Sequence, residues 1–94
     1  MKSIVLTMTA SIALAFAGAA GAQEDLAKKD GCLNCHAIDT KKVGPAFKDV
    51  AARFKGKADA PAMLEKKLTS GDGHPKTKAS PEDAKALVKW VLSQ

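Results

Sequence analysis

The only two cysteines of the chain, Cys32 and Cys35, stand three positions apart and are followed at once by His36. Cysteines this close cannot join distant segments in the way that a structural disulfide does. Two thiols one turn apart can instead each bond to one vinyl group of a haem, while the adjacent imidazole reaches the iron. This C-x-x-C-H motif therefore predicts that both thiols hold one haem covalently and that His36 is the proximal axial ligand of its iron.

Two other uses of the motif are compatible with its spacing. A C-x-x-C pair also forms redox-active disulfides, but those occur in proteins that combine strands with helices. A zinc site would need a fourth ligand beside Cys32, Cys35 and His36, and the sequence offers none at the usual spacing. Because the apolar residues of this chain lack strand-like alternation, haem attachment is the favoured interpretation.

The first 22 residues have the order of a secretory signal peptide. Lys2 precedes an apolar stretch from Ile4 to Ala20, and small residues occupy positions 20–22. This order predicts cleavage after Ala22, with residues 1–22 removed and residues 23–94 forming one periplasmic domain. A retained membrane anchor is the alternative, but polar residues and glycines interrupt the apolar stretch.

Size and charge limit what the predicted domain can do. A domain this short is near the limit at which a hydrophobic core alone stabilises a fold, so a cofactor should supplement the core. The formal net charge of +5 over 94 residues is modest. No aromatic residues alternate with the lysines as stacking platforms would, so nucleic acid is excluded as a partner.

The mature segment is predicted to be all-α, because its apolar residues recur at helical spacing. A first helix is expected over about residues 24–30, ended by Gly31, and a second from Pro45 to the residue before Gly56. A third covers about residues 61–68, and Thr69, Ser70 and Gly71 break its pattern. The last begins at Pro81 and runs to residue 92, with Ser80 as its N-cap.

Two segments carry a family resemblance: the run from Gly31 to Arg53, and the run from Ala86 to Gln94. Both resemble small bacterial class I cytochromes c, in particular the c551/c552 group and shuttles of the MtoD type. The resemblance implies the class I cytochrome c fold, with about four short helices wrapped around one haem c and the first and last helices crossing. Ala27 stands where the family often has Phe, so we expect a looser crossing or one packed chiefly by Leu26.

The segment Val43-Gly44-Pro45 resembles the family loop whose proline carbonyl accepts a hydrogen bond from the proximal imidazole. By that resemblance the Pro45 carbonyl would fix the ring of His36 and make it a stronger ligand of iron. The alternative is that Gly44 and Pro45 only form a turn before a helix.

The second axial ligand is where the chain departs from the family, which places a methionine in the loop before the last helix. Here that loop, residues 71–79, contains His74 and no methionine. We therefore expect a bis-histidine haem with His74 as the distal ligand. Met63, the only thioether in the predicted mature chain, is the fallback ligand, and packing is its expected role.

The predicted function is that of a periplasmic electron carrier and not of an enzyme, because two axial ligands leave no site for a small-molecule substrate at iron. Its expected partners are other redox proteins, and a monomer is expected. Four lysines in the loops near the haem edge could attract acidic partners: Lys41, Lys42, Lys76 and Lys78. The alternatives are a gas-binding or sensing haem protein and a weak peroxidase, both of which need an open or labile sixth position.

Overall fold

The computed structural model describes the backbone of residues 15–94 and the side chains from residue 21 onward. It contains four α-helices, α1 (Ala15–Lys29), α2 (Phe47–Phe54), α3 (Ala60–Ser70) and α4 (Pro81–Leu92). No strand occurs in this part of the chain, which confirms the all-α prediction. None of the helices that the structure describes is both long enough and apolar enough to cross a membrane.

Helix α1 begins earlier than the predicted start near Glu24. Residues 15–22 are mostly alanine, the residue with the highest helix propensity, and this accounts for the longer helix. Most of the predicted signal peptide lies outside the described residues, and the predicted cleavage point after Ala22 falls within α1. Gly31 follows the helix at φ +80°, a left-handed conformation that glycine adopts without strain.

Helix α2 begins at Phe47 and not at Pro45. The chain before it is extended, and the first amides of the helix donate to the loop after the cysteine motif. The Phe47 amide donates to the Ala37 carbonyl at 2.9 Å, and the Lys48 amide donates to the Ile38 carbonyl at 3.0 Å. These bonds satisfy amides that a helix end leaves unpaired, and they join α2 to the cysteine motif.

Helix α3 includes Thr69 and Ser70, which the sequence pattern assigned to its end. The hydroxyl of Thr69 donates to the Glu65 carbonyl at 3.0 Å, and that of Ser70 donates to the Lys66 carbonyl at 2.6 Å. Bonds of this kind let Ser and Thr remain in a helix. Gly71, at φ +74°, ends it.

Helix α4 begins as predicted, with the Ser80 hydroxyl accepting from the Asp83 amide at 3.2 Å. Its apolar face supplies half of the buried apolar residues in the described part of the chain: Ala84, Leu87, Val88 and Trp90. The indole of Trp90 meets the ring of Phe47 edge to face, with centroids 5.4 Å apart.

At the crossing of α1 and α4, Ala27 is more deeply buried than Leu26, which was expected to be the chief packing residue. Ala27 is 1% exposed and belongs to the core cluster with Phe47, Leu87 and Trp90. Leu26 is only partly buried against this cluster. At this position the crossing therefore buries only the methyl group of Ala27 against the side chains of α2 and α4.

Candidate functional site

The cysteine motif lies in a 3₁₀ turn (Cys32–Asn34) between α1 and the next loop. The amides of Cys35 and His36 both donate to the carbonyl of Cys32, at 3.2 and 3.0 Å. Neither cysteine is in a disulfide; Cys32 is half-buried and Cys35 is exposed. Burial, and then the negative charge of Asp30, raise the pKa of the Cys32 thiol. Since redox-active C-x-x-C pairs use a thiol of lowered pKa, this turn is unlike theirs.

The imidazole of His36 is held at one nitrogen. Its Nδ1 donates to the carbonyl oxygen of Pro45 at 2.6 Å, which is the contact that the sequence prediction for Pro45 requires. The ring also stacks on Phe47, with centroids 5.0 Å apart. A carbonyl oxygen only accepts, so Nδ1 carries a proton, and in the neutral form of the ring Nε2 is the nitrogen with the lone pair that a metal would use.

Gly44 leaves the space that the ring of His36 occupies. A β-carbon at position 44 would lie 2.7 Å from Nδ1 and 2.8 Å from Nε2 of His36, which is closer than real side chains approach. The Gly44 amide donates to the Cys35 carbonyl at 2.7 Å, so the backbone that carries this glycine is fixed against the motif. Only glycine fits there without displacing the imidazole.

His74 lies opposite His36. The centroids of the two rings are 6.1 Å apart and their planes are within 3° of parallel. Nδ1 of His74 donates to the carbonyl oxygen of Pro75 at 2.7 Å. By the same reasoning as for His36, Nε2 of His74 is the nitrogen left with a lone pair. The structure thus brings together two imidazoles, each hydrogen-bonded through Nδ1 to the carbonyl oxygen of a proline.

The separation of the two rings suits one metal ion between them. An imidazole nitrogen binds Zn²⁺, a comparable first-row ion, at about 2.0–2.1 Å, so two rings whose Nε2 atoms faced one ion along a straight line would have centroids about 6.4 Å apart. The observed 6.1 Å is close to that value and too long for direct contact between the rings.

The loop that carries His74 is tied to α3. Both the amide and the hydroxyl of Thr77 donate to the carbonyl of Leu68, at 3.1 and 3.0 Å, and the Thr77 hydroxyl accepts from the Ala79 amide at 3.3 Å. Gly71 and Gly73, at φ +74° and +71°, supply the left-handed conformations that turn the chain after α3. The position of His74 therefore follows from a defined loop.

The two histidines line a cavity of about 290 Å³ between α2, α3 and α4, which we call the central cavity. Most of its other lining is apolar: Pro45, Phe47, Val50, Phe54, Leu64, Leu68, Val88 and Val91. Cys32 and Cys35 precede His36 in the chain and are not part of the cavity lining. Met63 is 37% exposed and is not part of the lining either.

Two cations that were not predicted from the sequence, Arg53 and Lys67, also line the central cavity. Arg53 is three residues after Val50, and Lys67 is three residues after Leu64. Both thus fall on the helical faces that carry the apolar lining, a position unusual for a charge. This spacing was the signal that could have identified them.

Comparison with known proteins gives matches over nearly the whole predicted domain. The family model for cytochrome c matches residues 19–94. Cytochrome c-552 of Nitrosomonas europaea is 43% identical over 101 aligned positions, covering 99% of this chain and 98% of the relative. Cytochrome c-551 of Pseudomonas aeruginosa is 49% identical over 78 positions, covering 76% of this chain and 75% of the relative.

Solved structures match in the same way. The class 1 cytochrome MtoD of Sideroxydans lithotrophicus ES-1 superposes with a TM-score of 0.68 at 40% identity, covering 78% of this chain and 92% of that one. The four helices of this chain therefore adopt a known fold.

Proposed function

This chain belongs to the cytochrome c family and is a small electron carrier with one covalently attached haem c, and we propose that its iron is ligated by His36 and His74. The single observation that carries the proposal is the pair of parallel imidazoles 6.1 Å apart across the central cavity. Haem supplies the one-electron chemistry of iron when it is bound. The residues of the chain hold the haem, orient its ligands and determine which partners it meets.

Each residue of the motif has its own task in this proposal. Cys32 and Cys35 would form the two thioether bonds, and the 3₁₀ turn keeps them beside His36. The Pro45 carbonyl accepts a hydrogen bond from Nδ1 of His36, which fixes the tautomer and increases the donor strength of Nε2. Gly44 leaves room for that ring.

His74 is a better candidate than Met63 for the distal position. The ring of His74 lines the central cavity, whereas the side chain of Met63 is more than one third exposed and lies outside it. A nitrogen ligand favours Fe(III) more than a thioether does, and methionine is the ligand that raises the potential. We therefore expect a reduction potential below that of a relative with histidine and methionine ligands.

Arg53 and Lys67 suit the two carboxylates that a haem carries. They are the cations of a cavity whose other walls are mostly apolar, and charge-assisted hydrogen bonds there would fix the orientation of the group. Lys67 is half-buried and Arg53 is exposed, so Lys67 would make the stronger contact.

The proposed setting is the periplasm, reached through a cleaved signal peptide of residues 1–22, and the proposed partners are redox proteins. The order of charge, apolar stretch and small residues at the N-terminus supports export. Two occupied axial positions disfavour catalysis and gas binding at iron. A monomer that collides with successive partners suits this role.

Absorption spectroscopy with carbon monoxide tests the ligand assignment. We expect the wild-type ferrous protein to bind no carbon monoxide and to show no sulfur-to-iron charge-transfer band in its ferric form. His74→Ala should open the iron and bind carbon monoxide, whereas Met63→Leu, the matched control, should leave the spectrum unchanged. A sulfur band in the wild type that disappears in Met63→Leu would refute the assignment to His74.

A further inference from the structure

A second concave surface lies on the other side of α2 from His36. Its main part, with a volume of about 640 Å³, is more than twice as large as the central cavity. Its floor includes Ala51, Phe54 and Leu92, and its rim includes Lys48, Lys55 and Lys57. None of the residues that line it is Asp or Glu.

A neighbouring hollow of about 370 Å³ extends this surface along α4. The two share Pro61, Leu92 and Ser93, so they form one continuous groove. The extension adds Lys85 and Lys89 on its walls, with Glu65 as its one acidic residue. We call the whole surface the lysine groove.

The charges of the lysine groove are available to a partner. All five of its lysines are exposed, and among the residues that the structure describes none of them is paired with a carboxylate. Five lysine side chains against one acidic side chain around an apolar floor create a local potential that attracts acidic groups. The concave, elongated shape accommodates an extended chain better than it does a flat lipid surface.

Phe54 connects the lysine groove to the site of electron transfer. This side chain lines the groove and also lines the central cavity. On the groove side, Nζ of Lys57 lies 5.5 Å from the centroid of its ring, within the range of a cation–π contact. A segment bound in the groove would therefore be one side chain away from the haem cavity.

We propose that the lysine groove binds an extended acidic segment of a redox partner. This surface is distinct from the loops that carry Lys41, Lys42, Lys76 and Lys78, so the carrier would present two docking faces. In the exchange, one electron passes from the reduced partner to the ferric carrier, with no bond formed or broken and no proton transferred. This electron transfer rests on the carrier function proposed above, whereas binding of the segment in the groove does not.

Amide chemical shifts of the reduced holoprotein at low ionic strength test the proposal. The probe is a peptide of alternating glutamate and alanine, compared with a lysine–alanine peptide and with phosphatidylglycerol vesicles. The glutamate peptide should shift the amides of residues that line the groove. In Lys55→Glu/Lys57→Glu the dissociation constant should rise about tenfold. Lys28→Glu/Lys29→Glu on α1 makes the same change of net charge outside the groove and should stay within about twofold of the wild type.

Three results would overturn the proposal. The peptide could shift only the loops around residues 41 and 76, the two double variants could lose affinity equally, or only the vesicles could bind in the groove. Because binding is measured without electron transfer, a protein that binds the peptide in the groove but exchanges no electrons with any redox protein would refute the carrier function alone.

Discussion

Gly44 fixes the position of the His36 imidazole, the proposed proximal ligand, by having no side chain. Gly44→Ala would place a methyl group where the ring of His36 now lies, so the ring must move or its bond to Pro45 must break. We expect a shifted haem spectrum and a loss of about 1–3 kcal/mol in the free energy of unfolding, typical of overpacking. Absorption spectra and urea titrations of the holoprotein measure both.

Pro45→Ala is the matched control for this prediction, since it retains the carbonyl that accepts from His36. Its spectrum should resemble that of the wild type. If Gly44→Ala gave an unchanged spectrum and unchanged stability, the close approach of Gly44 to His36 would not control the ring.

At the residue scale, the sequence alone was enough to predict the parts of the site whose chemistry depends on neighbouring residues in the chain. The C-x-x-C-H motif identified the haem, and the lack of a methionine in residues 71–79 directed attention to His74. Arg53 and Lys67 were missed because their role depends on which faces of α2 and α3 meet at the central cavity. Spacing within each helix suggests such a face and does not say what lies opposite it.

At the scale of single helices, α4 depends on the cap at its first turn. Ser80→Ala removes the hydroxyl that accepts from the Asp83 amide, so the holoprotein should lose about 1 kcal/mol in the free energy of unfolding. Ser80→Asp retains an acceptor and should lose less than half of that. Urea denaturation followed by circular dichroism measures both variants. Equal losses in the two would show that the cap bond contributes nothing.

Helix boundaries were predicted best where they depend on local chemistry. Ser80, Gly31 and Gly71 act on their own backbone neighbours, and all three end or begin a helix as expected. The start of α2 was placed two residues early because its first amides are satisfied by carbonyls of the preceding loop, and composition does not reveal such contacts. The error at α1 has a different source, since an alanine-rich stretch suits both a signal peptide and a helix.

At the scale of the whole molecule, the core is too small to hold the fold alone. From residue 21 onward the buried apolar residues are few, and half of them are alanines: Ala27, Ala46, Ala60 and Ala84, with Phe47, Leu87, Val88 and Trp90. Much of the remaining apolar surface faces the central cavity. Burial of that surface against haem is therefore expected to contribute a large part of the stability.

Cys32→Ser/Cys35→Ser tests this dependence, because the variant cannot bond haem covalently. We expect a colourless chain with little helix and no cooperative thermal transition, measured by circular dichroism. Cys35→Ser alone retains one thiol and should give a coloured protein that unfolds at a lower temperature than the wild type. A cooperative transition in the colourless double variant would contradict the prediction.

The anchoring of both imidazoles at Nδ1 has a consequence for speed. In the proposed bis-histidine site, a ring that is hydrogen-bonded at Nδ1 to a proline carbonyl should turn little when the charge on the metal changes by one. Such a site needs only small nuclear rearrangement between its oxidised and reduced forms, and self-exchange between two copies of the protein should then be rapid.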